Sequence, residues 1–218
     1  MNRYKLNQWI NRISVRNLIT LVTAGMGIVF VCGMLMPSLN IYGLLALSRE
    51  ELLRGQLWRL ITFIFLPPNS SPVWILFSLY FYWMIGTALE NRWGSSRFTL
   101  FYLLGMAGSV LGVLITGGYA DNTYLNLSMF LAFAILNPDF QLLIFFVIPV
   151  KMKYLALLDA ALYLIAFITG TWDTRVMILM ALANLFLFLG GDIINSVRTE
   201  ARYFKTRRNF RRAMRSRK

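Results

Sequence analysis

The chain has 218 residues, of which 58% are hydrophobic and only 14% are charged. Soluble domains are about 45–50% apolar and about 25% charged, so the composition excludes a soluble single-core domain and a disordered chain. Histidine is absent, which excludes Ser–His and Cys–His catalysis and histidine-based metal sites. The single cysteine excludes an intrachain disulfide. We therefore expect an integral membrane protein without a metal or cofactor.

Apolar runs between breaking residues predict six transmembrane helices in an all-α bundle. They cover residues 18–36, 73–89, 98–116, 123–136, 154–169 and 176–194. The fourth has 14 residues. A helix of that length covers about 21 Å, against about 30 Å of hydrocarbon. We expect it either to begin below the membrane surface or to be matched by local thinning of the bilayer.

The distribution of basic residues predicts the orientation of this bundle. Of the 22 Lys and Arg residues, 18 fall on the side that carries both termini. Basic residues favour the cytoplasmic side, so both termini are expected there. The predicted organisation is a cytoplasmic segment (1–17), a six-span membrane domain (18–195) and a basic cytoplasmic tail (196–218). A bacterial inner membrane is the expected location, with the endoplasmic reticulum as the alternative.

The tail carries most of the net charge of +13. Because it follows a membrane span directly, anionic lipid headgroups are the expected partner, and nucleic acid is not. The arginines expected to face lipid are Arg207, Arg208, Arg211, Arg212, Arg215 and Arg217.

Two connections have patterns of their own. In the segment between the first two spans, Ser48 and Glu51 have the spacing of a capping box, which predicts a short helix ending near Gly55. Residues 56–65 follow as an amphipathic interfacial helix with Trp58 at headgroup level. The apolar run 140–150, which contains Pro149, is too short to span and predicts an interfacial or re-entrant segment.

Polar and small residues inside the spans predict packing contacts. Gly105, Gly108 and Gly112 share one helix face and allow close approach of a neighbouring helix. Glu90 is expected either to pair with Arg92 or Arg97 or to cap backbone amides. A second set of polar residues predicts hydrogen bonds between helices and consists of Asn126, Ser128 and Asn184.

Several motifs follow one another along the chain, around Trp58-Arg59, Glu90, Gly105, Asn137-Pro138-Asp139 and Asn184. Their order and spacing resemble those of the rhomboid superfamily, including its Derlin branch. The sequence around Trp58-Arg59 resembles the Trp-Arg motif of the first rhomboid loop. Residues 86–94, which contain Glu90 and Gly94, resemble the end of span two, and residues 101–108 resemble span three. The end of span four is matched by Asn137, Pro138 and Asp139, and span six by Ala183-Asn184. The resemblance implies a six-helix rhomboid-like bundle.

The resemblance fails at the catalytic positions. Active rhomboids use a serine in Gly-x-Ser-Gly in span four, a histidine in span six, and a histidine and an asparagine in span two. Counting along the motifs places Thr123, Asn184, Trp74 and Ser78 at these positions. A hydroxyl without a neighbouring base is a poor nucleophile. The resemblance therefore implies a catalytically inactive pseudoprotease that binds transmembrane client proteins or thins the bilayer, with a Derlin-like role in membrane-protein quality control.

Two alternatives of other classes stay open. The first is an active intramembrane protease in which Thr123 or Ser128 is the nucleophile and Asp121 the base. The second is a small-solute transporter or channel whose polar path is lined by Asp159, Asp192, Asn126 and Asn184. The sequence leaves the client and the oligomeric state open.

Overall fold

The computed structural model describes residues 14–68, 71–144 and 148–190. Asp192 and the arginines of the basic tail therefore lie outside the described residues. Five helices in the described part are long and apolar enough to cross a membrane. They are α1 (Leu18–Leu35), α5 (Pro72–Trp93), α6 (Ser95–Thr116), α8 (Met152–Thr169) and α9 (Trp172–Gly190).

The predicted fourth span is the helix α7 (Thr123–Leu136), which has 14 residues as expected. It is shorter than the five candidate spans, yet its buried residues run along most of its length. Helix α5 packs against α1, α6 and α7, whereas α8 packs mainly against α7. The short helix therefore lies inside the bundle, where its polar residues contact protein.

The segment between α1 and α5 is built from very short elements. A 3-10 turn (Pro37–Leu39) precedes α2 (Ile41–Leu45), β1 (Leu47–Ser48) and α3 (Arg49–Leu53). Then follow α4 (Arg59–Thr62) and a second 3-10 turn (Phe63–Phe65). Strand β1 pairs antiparallel with β2 (Tyr119–Ala120), which joins this segment to the connection between α6 and α7.

Two predictions about this segment need correction. Helix α3 begins where the capping box was expected, but the Ser48 side chain makes no capping hydrogen bond. Glu51 instead accepts hydrogen bonds from Arg54 Nη1 at 2.7 Å and from Gln56 Nε2 at 2.5 Å. The helix predicted over 56–65 is shorter than expected: it begins at Arg59, and its last turn (Phe63–Phe65) is a 3-10 turn in which Phe63 is buried.

Arg59 holds this irregular segment together. Its Nη1 donates to the carbonyl oxygens of Gly43 and Ala46, both at 2.6 Å, and its Nε donates to Gln56 Oε1 at 2.8 Å. The residue is only 4% exposed. Because a short helix leaves its last carbonyls unpaired, the guanidinium supplies the donors that the end of α2 lacks. Trp58, by contrast, is exposed, as expected for an interfacial anchor.

The run 140–150, predicted to be an interfacial or re-entrant segment, contains two β-strands. Strand β3 (Gln141–Ile144) pairs antiparallel with β4 (Ile148–Lys151). Asp139 accepts a hydrogen bond from Lys151 Nζ at 3.1 Å. This bond, with the charges of Lys151 and Lys153, lowers the pKa of Asp139 below its ordinary value. The pairing of β3 with β4 thus satisfies backbone groups of this segment within the segment itself.

At the same end of the bundle, Glu90 follows one of its two predicted roles. Its Oε1 accepts hydrogen bonds from the backbone N–H of Asn17 at 2.9 Å and from Ser95 Oγ at 2.7 Å. The alternative pairing with arginine does not form, because Arg92 Nη1 donates to Leu136 O and Asn137 Oδ1 instead. Glu90 therefore ties the start of α1 to the turn between α5 and α6.

That turn requires a glycine. Gly94 has φ of +81° and separates α5 from α6. A residue with a Cβ is strained in this backbone region, so the substitution of Gly94 would disturb the two helices that Glu90 and Ser95 connect.

We predict that Arg59→Met lowers the free energy of unfolding by about 2–4 kcal/mol, because the buried Ala46 carbonyl and the Gly43 carbonyl lose their donor. Thermal unfolding in detergent micelles measures the loss. The matched control is Arg54→Met, which removes an arginine whose side chain is 67% exposed and should change stability little. Equal melting temperatures for the two variants would contradict the conclusion that the hydrogen bonds of Arg59 stabilise this segment.

Candidate functional site

The candidate site lies where α7 begins, because the position expected to replace the rhomboid nucleophile is there. Thr123 is the first residue of α7 and is exposed. Its backbone N–H donates to Asp121 Oδ1 at 2.8 Å. The Asp121 carboxylate thus faces a backbone amide at this point of the chain.

The residue before Thr123 fixes the start of the helix, and sequence reasoning missed it. Asn122 is 1% exposed, and its Nδ2 donates to Ile64 O at 3.0 Å and Leu66 O at 2.7 Å. An asparagine before a helix normally caps that helix. Here the side chain instead binds the carbonyls of the irregular segment, a contact with a residue 56 positions away that no local pattern reveals.

Asn184, at the position of the rhomboid histidine, does not contact Thr123 through a hydrogen bond in the described structure. Its Nδ2 donates to Phe101 O at 3.3 Å and to Ser128 Oγ at 3.4 Å. Ser128 lies five residues after Thr123, about 7.5 Å further along the helix axis. The structure therefore pairs Asn184 with the deeper hydroxyl rather than with the first residue of α7.

The hydroxyl of Ser128 is already engaged. Its Oγ donates to Leu125 O at 2.8 Å, and the residue is 1% exposed. Asn184 is also buried, and its Oδ1 has no hydrogen-bond partner among the described residues. An amide is not basic enough to take a proton from serine at neutral pH. This buried pair joins α7 to α9, and Asn184 also contacts α6 through Phe101 O.

The two expected positions of span two lie on another part of the bundle. Trp74 is 51% exposed near the start of α5, and Ser78 is half-buried one turn later. The Trp74 ring contacts Phe77 edge-on, with centroids 6.5 Å apart. Two cavities, described next, are both lined by Thr123. Neither Trp74 nor Ser78 lines either of them.

The first of these, the sheet-end cavity, has a volume of about 600 Å³. Its polar lining includes Asp121, Thr123, Asp173 and Thr174. Tyr119 borders it as well, and partial burial together with the Asp121 carboxylate raises the pKa of this phenol. The cavity lies beside the β1–β2 pair and is more polar than an opening surrounded by lipid would be.

The second, which we call the α5–α7–α8 cavity, has a volume of about 510 Å³. Apolar side chains of the three helices form most of its lining. Its polar lining consists of Tyr82, Thr123, Asn126, Asp159 and Tyr163. Two cavities thus meet at Thr123, one at the end of the bundle and one between its helices.

The glycine face of α6 packs on α9 and thereby positions Asn184. A Cβ on Gly105 would lie 2.9 Å from Asn184 Nδ2, and a Cβ on Gly112 would overlap Met177 Sδ. A Cβ on Gly108 would meet Met180 only at an ordinary 3.7 Å. Two of the three glycines are thus required for close approach, and Gly105 sits directly against the Asn184 amide.

We predict that Gly105→Ala displaces the Asn184 amide and lowers the free energy of unfolding by about 1–3 kcal/mol, as overpacking does. Gly108→Ala is the matched control on the same helix and should unfold like the wild type. Thermal unfolding in detergent compares them, and a Gly105→Ala variant as stable as Gly108→Ala would contradict the packing role.

Comparison with known proteins agrees with this architecture. No curated protein matched the chain. The family model of the rhomboid domain matches residues 54–198, which is more than half of the chain. The matched range contains Arg59, Glu90, Asn137 and Asn184, around which the structure is organised. This integral, multi-pass membrane protein therefore belongs to the rhomboid family.

Proposed function

We propose that this chain is a rhomboid-like pseudoprotease that binds transmembrane client proteins from the side, without cleaving them. The observation that carries the proposal is the Asn184–Ser128 pair, in which the hydroxyl donates to Leu125 O and accepts from an amide. No histidine exists anywhere in the chain to replace the missing base. Asp121, the base of the alternative protease mechanism, accepts a hydrogen bond from the Thr123 backbone.

The surroundings of Thr123 also support binding over cleavage. Active rhomboids have glycines beside the nucleophile, whereas here Asn122 and Tyr124 flank Thr123. Asn122 is committed to the Ile64 and Leu66 carbonyls. Oxyanion stabilisation needs donors aimed at the developing charge. With Trp74 and Ser78 outside both cavities, the donors of span two are not placed for that task.

The client enters, in this proposal, through the α5–α7–α8 cavity. Helix α8 has only Met152 among its buried residues, so it is loosely held beside that cavity. Local thinning of the bilayer beside the bundle also forms part of the proposal, with the 14-residue helix α7 itself enclosed by protein. A thinner bilayer weakens the burial of an imperfectly apolar client helix. A six-span topology with cytoplasmic termini, a bacterial inner membrane location and a role in quality control form part of the proposal.

We predict no proteolysis in proteoliposomes that contain a panel of helix-destabilised transmembrane substrates, and no labelling by a serine-reactive phosphonate. An active rhomboid protease in the same liposomes is the positive control. Photo-crosslinkers at Thr123 and Leu158, which are exposed and line the α5–α7–α8 cavity, should nevertheless capture the substrates. Cleavage or labelling that Thr123→Ala or Ser128→Ala abolishes would make the chain an enzyme.

We further predict that Asn184→His does not restore phosphonate labelling. The new imidazole would lie beside Ser128, which is 1% exposed and lines neither cavity, so a probe has no route to the oxygen. Labelling intensity after gel separation measures the result, with Asn184→Gln as the size-matched control. Labelling of Asn184→His that disappears in the double variant with Ser128→Ala would show that only the base is missing.

A further inference from the structure

Asp159 occupies an unusual position for a carboxylate. It is the eighth residue of α8, an 18-residue helix, so it lies about 10 Å along the axis from Met152. That places it near the middle of a candidate membrane span. It is half-buried and lines the α5–α7–α8 cavity. Carboxylates at this depth are costly, and they normally face protein partners or a functional path.

The described structure provides no cation for this carboxylate. The salt bridges among the described residues join Glu51 to Arg54 and Asp139 to Lys151 and Lys153. Both lysines lie at the N-terminal end of α8, where Lys151 is the residue before the helix and Lys153 is in its first turn. Asp159 therefore presents an unneutralised acceptor to the cavity within the described part of the chain.

Asn126 adds a second, independent observation on the opposite wall. It is 3% exposed and lines the same cavity. Its Nδ2 is buried and makes no hydrogen bond of normal length among the described residues, and the polar group with which it interacts is the Tyr82 hydroxyl in the same cavity. A buried donor without a normal hydrogen bond destabilises the unoccupied protein. The cavity thus combines an unpaired acceptor on α8 with a poorly satisfied donor on α7.

We propose that Asp159 selects clients whose transmembrane helix carries a lysine or arginine near the middle of the span. The client cation pairs with the Asp159 carboxylate, and the Asn126 amide donates to a backbone carbonyl of the client helix. Both groups are then satisfied by one occupant. This inference rests on the proposed client-binding function and names the class of client.

The charge and surroundings of the cavity favour this occupant over an inorganic ion. The described residues contain no group of three or more acidic, histidine or cysteine side chains that could hold a metal. Most of the lining is apolar, contributed by residues such as Phe81, Phe130 and Leu162. Such a lining suits the aliphatic stem of lysine and the apolar residues beside it in a membrane helix. A client with a buried cation also gains most from leaving the lipid.

The test uses the full chain in proteoliposomes with a photo-crosslinker at Leu158, which is 58% exposed and lines the cavity. Two single-span client peptides differ only at the central residue, lysine in one and methionine in the other. Yields are normalised to inserted peptide. We expect about a fivefold higher yield for the lysine client, the effect of one modest ion pair. Asp159→Asn should abolish the preference, so that the lysine and methionine clients crosslink with equal yields.

Two further variants separate charge recognition from structure. Asp173→Asn removes a carboxylate from the sheet-end cavity and should keep the lysine preference. Asp159→Lys should reverse the preference towards a client with a central glutamate. Equal yields of both clients in the wild type, or a preference that survives Asp159→Asn, would overturn the inference while client binding stands. Failure of both clients to crosslink would overturn the proposed function as well.

Discussion

The fold depends on supplying hydrogen-bond partners to backbone that is not helical. Residues 37–68 form several short elements, and every short helix leaves carbonyls without intrahelical donors. In a membrane bundle such groups need protein partners, because hydrocarbon offers none. Arg59 supplies them at one point and Asn122 at another. Through Asn122, the same interaction also fixes where the short helix α7 begins.

The start of α7 in turn determines which side chains lie at the positions expected to match the rhomboid catalytic residues. With Asn122 held by the irregular segment, Thr123 lies exposed at the junction of two cavities. The hydroxyl that meets the histidine position is then Ser128, buried in the bundle and bonded to Leu125 O. A nucleophile needs both a base and access to substrate. Thr123 is accessible and lies beside Asp121, whereas Ser128 is buried and bonded to Leu125 O and the Asn184 amide; under the proposed function neither hydroxyl acts as a nucleophile.

The α5–α7–α8 cavity forms an opening between the helices of this rhomboid scaffold. Helix α8 buries little of its surface, whereas α7 is almost enclosed by protein. The wall of the cavity formed by α7 is therefore tightly packed, and the wall formed by α8 is loosely packed. The polar groups of Asn126 and Asp159 lie on these two walls. In a binding protein, they provide a basis for choosing among apolar helices of similar length.

Composition and hydropathy determined the membrane class. The length of the fourth helix was predicted correctly from its flanking polar residues, because an apolar run and its ends are local properties of the sequence. The absence of histidine likewise removed the rhomboid base whatever the fold. The β-hairpin after Pro138, the Asn122 contact and the pairing of Asn184 with Ser128 were decided only by the tertiary structure. They join residues distant in the chain, or depend on which backbone groups lack partners after packing, and no local pattern encodes either.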